Sequence, residues 1–95
     1  MTKRTRNRTD AVFAAIAHPT RRAILRRLAN GNLSIGDLAA PLSMSLAGAS
    51  KHMNVLQRAG LVERHDCGWL HVCALNRDAL QPVHVWLDEM GRPPA

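Results

Sequence analysis

Residues 43–62, SMSLAGASKHMNVLQRAGLV, predict a tight turn, a helix with one apolar face and the start of a strand. Ser45 is a favourable N-cap for this helix, and Ala59-Gly60 ends it. Apolar side chains recur every three or four residues and define the face that we expect to be buried: Leu46, Ala49, Met53 and Leu56. The other face is polar and basic, with Ser50, Lys51, Asn54 and Arg58. These features are typical of a helix that enters a DNA groove by its N-terminal end.

The composition favours one small domain with a polyanionic partner. The 95 residues include 13 lysines and arginines against 7 acidic residues, a net charge of +6, and nucleic acid is the usual partner of a basic domain. Cys67 and Cys73 do not make a disulfide framework, so we expect a cytoplasmic protein, without a membrane span or signal peptide. The sequence holds no grouping of acid, base and nucleophile that predicts an enzyme, and we expect no cofactor.

Capping and helix-breaking residues predict three helices before residue 43. Residues 1–8 are expected to be a disordered basic arm. A first helix begins at Thr9 or Asp10, and a second occupies residues 19–31, with a proline at its start and Asn-Gly at its end. Ser34–Asp37 has the form of a capping box and opens a short third helix.

Two strands and a last helix are predicted after residue 60. Leu61–His65 and Leu70–Leu75 alternate as strands and are joined by a turn at Asp66–Gly68, where the glycine supplies the permissive backbone of a hairpin. Arg77–Met90 carries an apolar stripe at helical spacing. The fold class is therefore mainly α with a small β-hairpin wing, a winged helix-turn-helix of five helices and two strands. It occupies residues 9–91, and residues 92–95 are expected to form a flexible tail.

An ordered set of short motifs resembles the ArsR family of bacterial repressors. The motifs are Ala17-His-Pro-Thr-Arg-Arg-Ala-Ile-Leu25, Asp37-Leu-Ala39, Met44-Ser45, Ser50-Lys-His-Met53, Val55-Leu56, Ala59-Gly-Leu-Val62, Gly68-Trp69 and Leu75-Asn76. The resemblance extends without gaps over residues 12–90. It implies a homodimer that binds an operator near its own promoter and represses transcription.

We expect DNA contacts from the start and exposed side of the residue 45–58 helix and from the base of the wing. The expected contacts are Ser45, Leu46, Ala47, Ser50, Lys51, His52, Asn54 and Arg64. Ser45 is favoured as a cap over a phosphate contact, and His52 either contacts DNA or packs against the wing. Arg21 and Arg22 belong to a solvated basic face or touch phosphate.

A two-fold dimer would present two such helices to two operator half-sites. We predict that its interface uses the apolar stripes of the first and last helices: Val12, Phe13, Ile16, Leu80, Val83, Trp86, Leu87 and Met90. The alternative is that these stripes close the core of each protomer.

Metal binding is not expected, although two places have suitable donors. Ser34 and Gly36 stand where many members of the resembled family carry a Cys-x-Cys metal site, so that site is absent. On the last helix, His84 and Asp88 are favoured as a surface ion pair over a metal site. The wing carries four side chains with zinc-donor chemistry, and a metal or redox site there remains the alternative: His65, Cys67, His71 and Cys73.

The rival to operator binding is a winged-helix module that binds another protein as an adaptor. Within the DNA-binding interpretation, a metal- or thiol-responsive repressor and a constitutive one both remain open. The operator sequence, the effector and the choice between repression and activation are not determined by these residues.

Overall fold

The structure, a computed structural model, describes the backbone of residues 3–94 and the side chains of residues 8–94 apart from Cys67 and Leu70. Over this part of the chain, five α-helices and a three-stranded antiparallel sheet form a winged helix-turn-helix. The helices are α1 Lys3–Ile16, α2 Pro19–Ala29, α3 Ile35–Ala39, α4 Leu46–Arg58 and α5 Gln81–Gly91. The strands are β1 Leu33–Ser34, β2 Val62–Cys67 and β3 Leu70–Leu75. No helix in these described residues is long and apolar enough to cross a membrane.

Helix α1 begins at Lys3, well before the predicted start at Thr9 or Asp10. The disordered arm predicted over residues 1–8 is therefore wrong for residues 3–8, while residues 1 and 2 lie outside the described part. The segment contains no glycine or proline, and its lysine and arginines are good helix formers, so helical propensity continues past the expected cap. The tail predicted at residues 92–95 begins after the end of α5 at Gly91, and residue 95 lies outside the described part.

Side-chain caps define the beginnings of α2, α3 and α4. The Nδ1 atom of His18 accepts a hydrogen bond from the Thr20 N–H at 3.1 Å, with Pro19 in the first turn of α2. Ser34 Oγ accepts from the Asp37 N–H at 3.1 Å, and Ser45 Oγ accepts from the Gly48 N–H at 3.0 Å. The two serine caps confirm the predicted starts of α3 and α4, because each satisfies a donor that a helix N-terminus leaves unpaired.

The chain turns between α3 and α4 through a short 3₁₀ segment, Ala40–Leu42, and a left-handed residue. Ser43 has a φ of 54°, which reverses the chain direction before the Ser45 cap. The Met44 N–H donates to the Ala39 carbonyl at 3.3 Å and closes this turn. α3 and α4 are thus held as the two helices of the helix-turn-helix.

The sheet has the order β1-β3-β2, so β3 is its central strand. The pairing of Leu33 with Cys73 adds a third strand to the two predicted ones, because a two-residue segment is too short to show alternation in the sequence. The hairpin turn is Gly68-Trp69, two residues between β2 and β3, rather than the predicted Asp66–Gly68. Gly68 has a φ of 64°, a value that glycine adopts without strain.

The core lies between the helices and the inner face of the sheet. Its largest fully buried side chains are Ile24, Leu28, Leu38, Met53, Leu56, Leu61 and Cys73. Ala49, Met53 and Leu56 confirm the predicted buried face of α4, but Leu46 is 61% exposed and that part of the prediction is wrong. Leu46 is the first residue of α4, and this turn of the helix extends beyond the packed core.

Candidate nucleic-acid interface

The first half of α4 presents small and polar side chains to solvent. Ser45, Ala47, Lys51 and Asn54 are exposed together with Leu46, and Ser50 is half-buried beside them. The opposite side of the helix is anchored in the core, so the exposed side is held rigidly without using any of these groups. A rigid helix that exposes short polar side chains and one lysine fits the requirements for binding in the major groove.

Gly48 leaves the N-terminal cap of α4 uncrowded. A Cβ added at this position would lie 3.3 Å from Ser45 Oγ and 3.5 Å from the Met44 Cε. Glycine inside a helix costs about 1 kcal/mol relative to alanine, yet here it keeps the Ser45–Gly48 hydrogen bond free of steric pressure. The cap orients the first turn of α4, whose N–H groups give this end partial positive charge.

His52 is held against the start of α2 and not against the wing. Its ring centroid lies 4.7 Å from that of His18, and Arg21 Nη1 lies 3.5 Å from His52 Nδ1. Burial, followed by the charges of His18 and Arg21, lowers the pKa of His52 below its ordinary value. The predicted packing against the wing is thus wrong in its partner, and a contact between His52 and DNA stays a prediction.

Arginines of α2 bond to the carbonyl groups at the end of α1. Arg21 donates through Nε to the Ala15 carbonyl at 2.6 Å and through Nη2 to the Ala14 carbonyl at 3.2 Å. Arg22 Nη1 donates to the Ile16 carbonyl at 2.8 Å. These bonds satisfy helix-end acceptors, so the two side chains are not purely solvated, and a phosphate contact from either of them stays a prediction.

Two further arginines join elements in the same manner. Arg27 Nη1 donates to the Asp37 carbonyl at 2.6 Å, and Arg77 Nη2 donates to the Ala29 carbonyl at 2.8 Å. These four arginines therefore serve the fold. By contrast, Lys51 has no hydrogen-bond or ion-pair partner among the side chains that the structure describes, which leaves its ammonium group available.

The wing carries mixed charge around an exposed aromatic tip. Arg64 is exposed on β2, and Trp69 at the tip is 88% exposed. Asp66 Oδ1 lies 2.7 Å from His71 Nδ1, and this hydrogen bond lowers the pKa of the Asp66 carboxyl. The Asp66 carboxylate is therefore bonded to His71 and not to Arg64, which leaves the Arg64 guanidinium exposed at the wing base.

The described side chains contain no group of three or more His, Cys, Asp or Glu that could hold a metal ion. Cys73 is buried in the central strand, and burial raises the pKa of its thiol. Among the four predicted wing donors, the side chain of Cys67 lies outside the described residues. On α5, Asp88 pairs with Arg92 at 2.5 Å, so the predicted ion pair between Asp88 and His84 is wrong.

Helices α1 and α5 form a second surface with apolar exposure. Val12 and Val83 are buried in the core of the protomer, so these two predicted interface residues are assigned wrongly. Phe13 makes an edge-to-face contact with Trp86 at a centroid distance of 5.4 Å, which joins α1 to α5. The largest apolar side chains left exposed on α5 are Val85, Trp86, Leu87 and Met90. An apolar cluster of this kind on a small basic domain is typical of a protein interface.

Known proteins are similar to this chain across the helix-turn-helix and most of its length. A family profile described as a helix-turn-helix domain matches residues 16–65. The transcriptional repressor SdpR of Bacillus subtilis is 37% identical over 76 residues, which cover 80% of this chain and 84% of the repressor.

Solved structures extend the likeness to the whole fold. The crystal structure of the ArsR family transcriptional regulator RHA00566 superposes with a TM-score of 0.81 at 35% identity, covering 87% of this chain and 91% of that one. A possible ArsR-family regulator of Mycobacterium bovis, Mb0332, whose solution structure is a homodimeric winged helix-turn-helix DNA-binding domain, gives a TM-score of 0.75 at 27% identity. That match covers 95% of this chain and 90% of the fragment.

Proposed function

This chain belongs to the ArsR family of winged helix-turn-helix transcriptional regulators, and we propose that it is a homodimeric repressor that binds a two-fold-symmetric operator near its own gene. The observation that carries the proposal is the exposed, small and polar first half of α4 on a buried base. As a member of this family, the protein is a DNA-binding regulator of transcription. We propose no catalytic role for it.

We propose that α4 enters the major groove by its first two turns. Lys51 binds a phosphate or a guanine edge, and Ser50 and Asn54 donate to base or backbone acceptors. Leu46 and Ala47 contact thymine methyl groups, a role that the exposure of Leu46 supports. Ser45 acts first as the cap of α4, and its position brings it close to a phosphate.

The wing adds a backbone contact next to the helix. Arg64 is proposed to bind a phosphate, because it is exposed and has no carboxylate bonded to it in the described structure. His52 contributes mainly by holding α4 against α2, through its ring contact with His18. The interface therefore contains few bidentate base readers, and we expect affinity to depend strongly on phosphate contacts.

The dimer is proposed to form through the exposed apolar side of α5 together with α1. Supporting this are the exposed Trp86, Leu87 and Met90 and the homodimeric state of the structural neighbour Mb0332. A dimer explains how two copies of α4 reach half-sites about 34 Å apart on one face of DNA. A single protomer offers only one reading helix.

The test is an anisotropy titration of the purified protein against a labelled duplex from the region upstream of its own gene. We expect binding at least about a thousandfold tighter than to a scrambled duplex of equal length, with two chains bound per duplex. Equal affinity for both duplexes, or one chain per duplex at saturation, would contradict the proposal.

A further inference from the structure

A cavity of about 930 Å³ lies away from the proposed DNA-binding half of α4. It is bounded by α1, by the end of α4 and by the segment that leads into α5. Its size is at the upper end of the range of small-molecule sites in proteins. The mechanism of DNA binding does not use it.

Charged groups at this cavity are arranged with an excess of positive charge. Arg8 of α1 and Arg58 of α4 both line it, with Asp78 as the carboxylate among the lining residues. Neither arginine makes a hydrogen bond or ion pair with any side chain or carbonyl in the described part of the chain. Two guanidinium groups facing one carboxylate leave a single positive charge to be matched.

The remaining surface of the cavity is mostly apolar. Its lining includes Ala11, Val12, Ala59, Ala79 and Pro82. Val12 is buried in the core and forms a fixed floor. Apolar walls with a few convergent polar groups are the usual construction of a site for a small organic molecule.

We propose that this cavity binds a small organic monoanion with an apolar body, such as a carboxylate. The guanidinium groups of Arg8 and Arg58 take the anionic group, because guanidinium and carboxylate form charge-assisted paired hydrogen bonds. The apolar body lies against the alanine and proline walls. DNA is a poorer match, because its convex, fully polar backbone would leave the apolar floor uncovered.

The position of the cavity connects it to the end of the reading helix. Asn76 donates through Nδ2 to the Gly60 carbonyl at 3.0 Å, and its N–H donates to the Leu61 carbonyl at 2.8 Å. These bonds tie the wall next to α5 to the turn that joins α4 to β2. A bound anion would therefore contact both the end of α4, the proposed DNA-binding helix, and the helices α1 and α5 of the proposed dimer interface. A role as effector rests on the proposed function, whereas binding itself does not.

The probe for the test is octanoate, with octanol as its uncharged counterpart. Each is titrated into the ¹⁵N-labelled full chain without DNA, and amide shifts are followed by NMR. We expect octanoate to shift the amides of Ala11, Ala59 and Ala79 and to bind about tenfold more tightly than octanol, since the alcohol lacks the charge-assisted bonds.

Charge variants test the assignment of the anionic group. Arg58→Gln and Arg8→Gln should each weaken octanoate binding about tenfold, whereas Arg26→Gln removes an exposed arginine of α2 and should leave it unchanged. Asp78→Asn should tighten binding several-fold, because it removes the competing carboxylate. Tighter octanoate binding by the Asp78→Asn protein cannot result from a loss of folding, because unfolding would weaken binding.

Any of four results would overturn the site. Octanol could bind as tightly as octanoate, the Arg8 and Arg58 variants could bind like the Arg26 variant, or the shifts could map to the exposed face of α5. Shifts of the lining amides with operator DNA but not with octanoate would also reject it. Octanoate affinity is then measured with operator bound. A several-fold change supports the effector role, and an unchanged affinity rejects that role.

Discussion

Helices α4 and α5 are both surface helices on one core, yet they expose opposite chemistry. Apart from Leu46 and Val55, the exposed side of α4 is polar and basic, with Lys51 at its centre. The exposed side of α5 is large and apolar, with Trp86, Leu87 and Met90 about half accessible to solvent. α4 buries Ala49, Met53 and Leu56, whereas α5 buries Val83 alone and leaves most of its apolar side chains at the surface.

This contrast separates two tasks within a small domain. Binding a polyanion requires hydrogen-bond donors on short side chains, and α4 provides them. Binding a second copy of the chain requires apolar area to bury, and α5 provides it. A chain of 95 residues buries a modest core, so covering the α5 surface would also add stability.

The largest expected effects come from making the same leucine-to-glutamate substitution once on α5 and once on α4. Leu87→Glu places a charge in the proposed dimer interface and should weaken dimerisation about a hundredfold. Leu46→Glu places a carboxylate beside DNA phosphate and should lower operator affinity at least about tenfold while the dimer persists. Sedimentation velocity at micromolar concentration gives the oligomeric state, and anisotropy gives the operator affinity.

Leu46 serves as a matched control for Leu87, because both leucines are more than half exposed in the protomer. If the Leu46→Glu protein dissociates into monomers, or if the Leu87→Glu protein remains a dimer, α5 is not the dimerisation helix. The division of tasks between the two helices would then have to be abandoned.

The two serine caps provide a smaller and sharper comparison. Ser34 and Ser45 make equivalent hydrogen bonds at the starts of α3 and α4. Ser34→Ala and Ser45→Ala should each cost about 1 kcal/mol in the free energy of unfolding, measured by urea denaturation. Only the Ser45 variant should also lose operator affinity, by a few-fold, because its helix start faces DNA. Equal affinities for the two variants would assign Ser45 a capping role alone.

The smallest expected effect is the pH dependence that His52 brings to stability. Its pKa in the folded chain lies below the ordinary value of 6.5, so the unfolded chain binds this proton more readily. The stabilisation is present above about pH 6.5 and is lost as the pH falls through the folded pKa. Thermal melting between about pH 7.5 and about pH 5.5 should show this loss in the wild type and less of it in His52→Gln. His84→Gln, on the exposed side of α5, is the control, and the same flattening in both variants would exclude His52 as the cause.

Local signals in the sequence predicted most of the fold. The caps at Ser34 and Ser45, the buried stripe of α4 and the hairpin all depend on residues a few positions apart. β1 was missed because Leu33–Ser34 becomes a strand only by pairing with β3, far along the chain. The order of the elements was therefore predictable, but the pairing at the edge of the sheet was not.

Part of the candidate site could not be predicted from the sequence for the same reason. Periodicity places Leu46 with Ala49 and Met53, and it contains no information on where the core ends. Arg21 finds its acceptors on α1, and His52 finds its ring partner at the start of α2. These contacts join residues that are distant in sequence, and no local pattern distinguishes such an arginine or histidine from a DNA contact.

The most direct test of the central claim, that the exposed side of α4 reads DNA through Lys51, is the salt dependence of operator binding. The logarithm of the affinity is measured against the logarithm of the salt concentration for the wild type, Lys51→Ala and Arg26→Ala. Because a dimer carries two Lys51 residues and each releases about one counterion, the slope should fall by about two units in Lys51→Ala and stay unchanged in Arg26→Ala. An unchanged slope in Lys51→Ala would contradict the account.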